Sequence, residues 1–224
     1  MLLAFDSIFF SLSLAKSCSD LKKLDPTAEN GIYVIDPDGE GRGPPFNATC
    51  DMTDKNAVGV TVISHDSENR TLVDGFEDAG SYSRDINYTE ADLLQLANLT
   101  NVSTHCEQFI KYECFNSLMF QGNHAWWVSR DSAKMTYWGG AEPASGKCAC
   151  GMTQSCAKQK PKSQLLLCNC DANDEKWRED SGLLTDKTRL PVKELRFGDT
   201  GVALSKFDEQ GYHTLGKFKC YGIA

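Results

Sequence analysis

The sequence predicts an α+β domain rich in disulfides, mainly antiparallel sheet with few short helices. Three observations carry this. Cysteines stand at 18, 50, 106, 114, 148, 150, 156, 168, 170 and 220, an even set that is dense for 224 residues. Short β-branched and aromatic runs alternate with Pro, Gly and Asp turns. A single segment combines helical periodicity with a start signal. At 224 residues the chain makes one large domain or at most two small ones. A hydrophobic content of 41% sustains a core and excludes disorder as the main state. Lys and Arg number 23 against 31 Asp and Glu, a net charge of −8 that repels phosphate backbones and disfavours a nucleic-acid partner.

Taken in order, LLAFDSIFFSLSLA at 2–15 supplies an apolar run, interrupted by Asp6 and preceded by no Lys or Arg. It ends in the small-x-small pattern Ser13-Leu14-Ala15, so residues 1–17 are expected to be a signal peptide cleaved after Ala15 or Ser17. No other stretch reaches the ~18 apolar residues of a membrane span. GIYVI from Gly31, FNATCDM at 46–52 and VGVTVIS at 58–64 read as strands of a meander. A short helix is predicted over 89–97, with Thr89 as a possible cap and Leu93, Leu96 and Ala97 on one face. A strand follows, because Val102, Thr104, Cys106, Ile110, Tyr112 and Cys114 share one parity while His105, Glu107, Lys111 and Glu113 share the other. Phe109 breaks the pattern. Trp126-Trp127-Val128 and Met135-Thr136-Tyr137-Trp138 flank the turn-like Asp131-Ser132 as a hairpin. Little regular structure is expected over 139–182, where crosslinks rather than a core would supply rigidity. No internal repeat is evident.

The cysteines admit two readings. Cys148, Cys150, Cys156, Cys168 and Cys170 could hold a soft metal ion as thiolates, or all ten could be oxidised. Five N-x-[ST] acceptors arbitrate, at Asn47, Asn69, Asn87, Asn98 and Asn101. With 11 Asn and 32 Ser plus Thr, chance yields about 1.6 such acceptors. The excess points to the secretory pathway and therefore to disulfides.

Cys18-Ser-Asp-Leu21, Gly31-Ile-Tyr33, Ile35-Asp-Pro37 and Phe46-Asn-Ala-Thr-Cys50-Asp-Met52 resemble the opening of a fibrinogen-like domain and of a fibrillar-collagen C-propeptide. LTNVSTHCEQFIKYEC at 99–114, WWVSRD, YWGG, GKCACG, CNCDAN, WREDSGLLTDKTRLPV and GYHTLGKFKCYG resemble the fibrinogen-like region of contactin-associated proteins in the neurexin superfamily. The resemblance spans 18–222 and implies one fibrinogen-like, collagen C-propeptide-like domain of the extracellular space. The sequence lacks the laminin-G and epidermal-growth-factor-like repeats of those proteins, and the calcium loop with its Gly-Gly-Trp-Trp run that marks full fibrinogen C-terminal domains. Carried onto matching positions, the resemblance pairs Cys18 with Cys50 and Cys106 with Cys170.

Asp36, Asp38 and Glu40 place oxygen ligands at alternate positions with Gly41 sixth, the first half of a calcium loop, but Asn47 occupies the twelfth position where a bidentate Glu belongs. The plain alternative is an acidic turn. Collagen propeptides hold calcium in the matching turn, which keeps calcium as a possible cofactor. Asp171, Asn173 and Glu175 repeat the spacing but put Lys176 where Gly is required. No nucleophile-elbow, zinc-protease, phosphate-loop or dinucleotide motif is present, so catalysis is not expected. Trp126, Trp127, Trp138 and Trp177 could form an aromatic recognition surface or fill the core. The resulting expectation is a secreted, glycosylated binding module of the extracellular matrix or cell surface that recognises an extracellular protein or glycan. The alternatives are an acidic structural component of an organic, possibly mineralising, matrix and a lectin-like module.

Overall fold

The computed structural model describes residues 13–39, 43–157, 165–201 and 208–224. The apolar stretch of the expected leader up to residue 12 lies outside the described residues, as does Glu40. The first half of the described chain runs α1 (Cys18–Leu24), β1 (Gly31–Ile35), β2 (Phe46–Asp51), α2 (Asp54–Ala57), β3 (Val60–Ile63), β4 (Thr71–Val73), β5 (Tyr82–Asp85) and α3 (Leu93–Val102). The second half runs β6 (His105–Phe115), β7 (Trp126–Ser129), β8 (Lys134–Met135), α4 (Ala149–Thr153), a 3-10 turn (Cys170–Ala172), β9 (Trp177–Leu184), β10 (Val192–Phe197) and β11 (Gln210–Tyr221). No helix among the described residues is long and apolar enough to cross a membrane.

All strand pairs are antiparallel. One sheet is ordered β1-β2-β3-β11-β6-β9, with β4 beside β3 on the same edge of β11, and the other is ordered β5-β10-β7-β8. β11 is the spine: β6 runs along one edge, while β3 takes residues 218–220 and β4 residues 211–213 of the other. β6 follows the period-two reading, with Cys106, Ile110, Tyr112 and Cys114 buried and Phe109 facing out. Phe109 sits opposite a bulge in β11 between Leu215 and Phe218. The bulge frees the Gly216 carbonyl, which accepts from Gln108 Nε2 at 3.1 Å and from His65 Nε2 at 2.9 Å. Buried Gln108 also accepts from the Val192 backbone at 2.9 Å, tying β6 to the second sheet.

The two sheets meet on a column of rings. Phe197 of β10 stacks on Tyr112 of β6 with centroids 4.3 Å apart and lies parallel to His213 of β11 at 5.7 Å. Trp138 meets Phe197 edge-on at 5.9 Å. Tyr112 fits because position 211, its diagonal neighbour on β11, is glycine; a Cβ there would overlap the phenol oxygen. The Tyr112 hydroxyl is held by Ser117 at 2.9 Å, so the ring cannot swing aside.

Five disulfides crosslink the chain: Cys18–Cys50, Cys106–Cys220, Cys114–Cys170, Cys148–Cys168 and Cys150–Cys156. Cys106 therefore pairs with Cys220 and not with Cys170. The register explains this correction, because Cys106 and Cys220 face each other across β6 and β11 with Cα atoms 4.1 Å apart. Cys170 lies at the other end of β6, eight residues or about 27 Å away, where Cys114 takes it.

Three sequence expectations on secondary structure also change. The helix begins at Leu93, because Asp92 and Gln95 form a reciprocal capping box with both bonds at 2.8 Å, while the Thr89 hydroxyl goes to the Ser64 carbonyl. That helix carries through Val102, which leaves the strand to start at His105. The stretch 139–182 holds α4 and most of β9. β9 escaped notice because, of its inward positions, Arg178, Asp180 and Gly182 are not apolar side chains and only Leu184 is. Gly182 packs backbone to backbone against Gly139, and Asp180 accepts from the amides of Asn169 at 3.0 Å and Cys170 at 2.9 Å. Asp180 thus ties the cysteine-rich segment to the sheet. Burial pushes its carboxyl up to about 6, against the lowering effect of those two amides and with nearby Asp171 adding to the rise.

Two outcomes follow from this packing. Gly211→Ala should destabilise the fold by about 1–3 kcal/mol through overpacking against the pinned Tyr112 ring, read as a lower urea midpoint. Asp180 titrates near 3.8 when unfolded and about 6 when folded, so stability attributable to it falls as pH rises between those values. Buried His213, lowered from 6.5 to about 4, works in the opposite sense over an overlapping window. Removing the first contribution with Asp180→Asn should make stability climb more steeply from pH 4 to 6 than in the wild type, by roughly 2–3 kcal/mol over the window. Urea titrations at a series of pH values measure the difference in slope.

Candidate binding surface

The four tryptophans divide between core and surface. Trp127 and Trp138 are fully buried and donate their indole N–H groups to the carbonyls of Tyr137 at 2.8 Å and Asp180 at 3.0 Å. Trp126 is half-buried, with Lys134 Nζ 3.6 Å from its ring centre on one side and Gly80 against it. Trp177 is 49% exposed, on the outward parity of β9.

The outer face of the large sheet gathers a continuous surface around Trp177. Register places Trp177 beside Phe115 and Gln210 in one row, and Glu179, Glu113, Tyr212 and Leu72 in the next. Trp177 lies 5.6 Å from the Phe115 ring and 5.7 Å from that of Tyr212. The Arg70 guanidinium lies over the Tyr212 ring at 3.3 Å and pairs with Glu113 at 2.8 Å. That hydrogen bond, more than the added pull of Lys111, holds the Glu113 carboxyl below the usual carboxylate range. Arg70, Glu113, Trp177, Arg178 and Glu179 line a shallow cleft of about 340 Å³. Leu72, Phe109 and Leu183 extend the exposed apolar surface along the same face. Tyr, Trp and Arg held in mutual ring contact offer a partner large contact area at small entropic cost, the composition that dominates protein-recognition hot spots. Trp177 was visible in sequence as a candidate; Arg70 and Tyr212 were not, because they are 142 positions apart in numbering and meet only through the pairing of β4 with β11.

A larger cleft of about 590 Å³, lined by Asp85, Asn87, Tyr88, Asp92 and Lys193 among others, lies elsewhere. It has no aromatic platform beyond Tyr88, and Asn87 on its wall opens one of the N-x-T sequences.

The five acceptors are dispersed. Asn47 is exposed on β2, and Asn69 and Asn101 are exposed at the end of a turn and near the end of α3. Asn87 is exposed but donates its Nδ2 to Asp66 at 2.8 Å, and half-buried Asn98 donates to Asp38 at 3.2 Å. Asp36 and Asp38 of the calcium expectation are engaged in protein hydrogen bonds, Asp36 accepting from the Gly39 amide at 3.1 Å and Asp38 from Asn98; Glu40 lies outside the described residues. The carboxylates that do converge among the described residues are Glu77, Asp199 and Glu209, whose oxygens lie within 4.8 Å of one another. Burial, reinforced by Asp199 and Glu77, pushes Glu209 up to about 7. Asp199 is also occupied by the Leu118 amide at 2.6 Å. No sequence spacing announced this trio, since it assembles from three separate segments.

A family model described as the fibrillar collagen C-terminal domain matches residues 11–210. Neurexin-4 of Drosophila melanogaster is 38% identical over 214 residues, covering 92% of this chain and 16% of that protein. Contactin-associated protein 1 is 36% identical over 197 residues in Mus musculus, covering 86% of this chain and 13% of that protein. The Homo sapiens protein is 35% identical over 211 residues, covering 92% and 14%. The chain thus spans about a sixth or less of the relatives it matches.

The exposure of Trp177 has an optical signature. Iodide should quench a distinct fraction of the tryptophan emission, and Trp177→Phe should remove most of that fraction while leaving the emission of buried Trp127 and Trp138 intact. Stern–Volmer plots of the two proteins make the comparison.

Proposed function

The chain belongs to the fibrillar collagen C-terminal domain family, and from that premise we propose that it is a secreted, N-glycosylated module that binds an extracellular protein. The observation that carries this reading is the exposed cluster of Arg70, Tyr212, Trp177 and Phe115 in mutual contact. The similarity to a neurexin and to contactin-associated proteins supports adhesion or recognition as the role, with a contactin-type surface protein as the first partner to try. Five acceptors, of which Asn47, Asn69, Asn87 and Asn101 are exposed, and ten cysteines all in disulfides support the secretory compartment. On this reading binding energy is concentrated on the aromatic face, and the module works by contact.

The acidic balance of −8 favours a second reading, a matrix component retained by summed charge. One experiment separates the two. Purified protein is titrated onto an immobilised contactin ectodomain and onto intact cells, at low and at high salt. Recognition through the surface predicts saturation that persists in salt and an affinity loss of at least about tenfold in Trp177→Ala, the scale of a hot-spot truncation. Binding that never saturates, vanishes with salt and is shared by Trp177→Ala identifies charge-driven retention and defeats the recognition reading.

A further inference from the structure

The leader has two cleavage patterns, Ser13-Leu14-Ala15 and Ala15-Lys16-Ser17, that are equivalent as small-x-small sequences. They are not equivalent in the fold. We infer that the mature chain begins at Lys16, through hydrolysis of the Ala15–Lys16 bond, and that the amino group so released forms an ion pair with Asp20. The inference rests on the secretory reading above.

Ser17 is the N-cap of α1: its hydroxyl accepts from the Asp20 amide at 3.2 Å and its carbonyl from the Leu21 amide at 2.9 Å. It is 1% exposed. Cys18 follows at 0% exposure, bonded to Cys50 and donating its backbone N–H to Thr61 Oγ1 at 3.0 Å. A cut after Ser17 would remove the cap. It would also turn the Cys18 nitrogen into an ammonium sealed from water, with three donors facing one hydroxyl, at the positive end of a helix.

A cut after Ala15 disturbs little. It forfeits only the Ala15 carbonyl as acceptor for the Asp36 amide at 2.9 Å. Ser17 and the cap stay. Lys16 is exposed, so its new ammonium remains hydrated, and its backbone nitrogen already lies 3.0 Å from Asp20 Oδ2. An amide hydrogen bond there becomes a charge-assisted one. The chemistry is ordinary hydrolysis by a leader-processing protease: the C–N bond breaks, water supplies the hydroxyl that leaves Ala15 as a carboxylate, and the amine of Lys16 takes up a proton.

The test is to express the full chain in secreting eukaryotic cells and determine the first residue of the protein in the medium by N-terminal sequencing and mass spectrometry. Lys16 is the expected first residue. Secreted protein starting at Cys18, Leu14 or any other position overturns this inference and leaves secretion standing, whereas a chain that keeps Met1 and stays inside the cell overturns both. In the secreted product, Asp20→Asn should lower the unfolding midpoint and raise the rate at which a pH 7 acylating reagent modifies the terminal amine. Asp20→Glu should restore part of both. An amine equally reactive in wild type and Asp20→Asn overturns the ion pair.

Discussion

The two sheets of this domain are held in one relation by the parallel stack of Tyr112, Phe197 and His213. Each ring comes from a different strand, so the stack fixes the approach of the second sheet to the first at the place where β6 and β11 run side by side. It imposes conditions outward from itself. Position 211 must lack a side chain, His213 must stay neutral between a phenylalanine face and the Tyr82 hydroxyl at 2.8 Å, and Trp138 must close the edge of the phenylalanine. The buried histidine is therefore a packing element whose lowered basicity follows from its surroundings.

Legibility in the sequence followed how local the cause was. Strands β1 and β2 and the alternation of β6 were readable, because one face of each meets a core and the other meets water. The 126–138 hairpin was readable from its turn. β9 was not, since only Leu184 among its inward positions is apolar, and its buried aspartate and its glycine serve contacts with other segments. The pairing of Cys106 went wrong for a related reason: β6 carries two inward cysteines eight residues apart, and only the register of β11 says which end Cys220 reaches. The binding surface was half legible. A tryptophan among charged residues is conspicuous, but the arginine and tyrosine that stack beside it are gathered by pairing between strands that no spacing connects.

The same sheet has two faces of different character. Inward, the sheet is mainly apolar, and buried Gln108 is satisfied by bridging the bulge and β10. Outward, aromatic rings are interleaved with Glu113, Lys111 and Glu179, which neutralise one another at 3.2 and 3.9 Å. That interleaving keeps an aromatic face soluble in a chain of marked negative charge, because the rings are exposed between paired charges and not as one apolar expanse.

The arrangement of the disulfides governs how the domain would bear load. A pulling force applied at Cys18 and Cys220 passes through Cys18–Cys50 and Cys106–Cys220, which bypass 32 and 114 residues of sequence. Only the stretch from Cys50 to Cys106 can then be drawn out, about 200 Å of slack compared with about 700 Å for the same chain without crosslinks. From Cys106 to Cys220 the chain, with Phe115, Trp177 and Tyr212 of the aromatic face, sits inside the second bypass and carries no tension, whereas Arg70 and Leu72 of that face lie on the extensible stretch. Peeling β3, β4 and β5 away strips Arg70 from the Tyr212 ring and leaves Trp177, Phe115 and Tyr212 side by side on β9, β6 and β11, so a partner that needs the arginine is released under load while one that needs only the rings is kept.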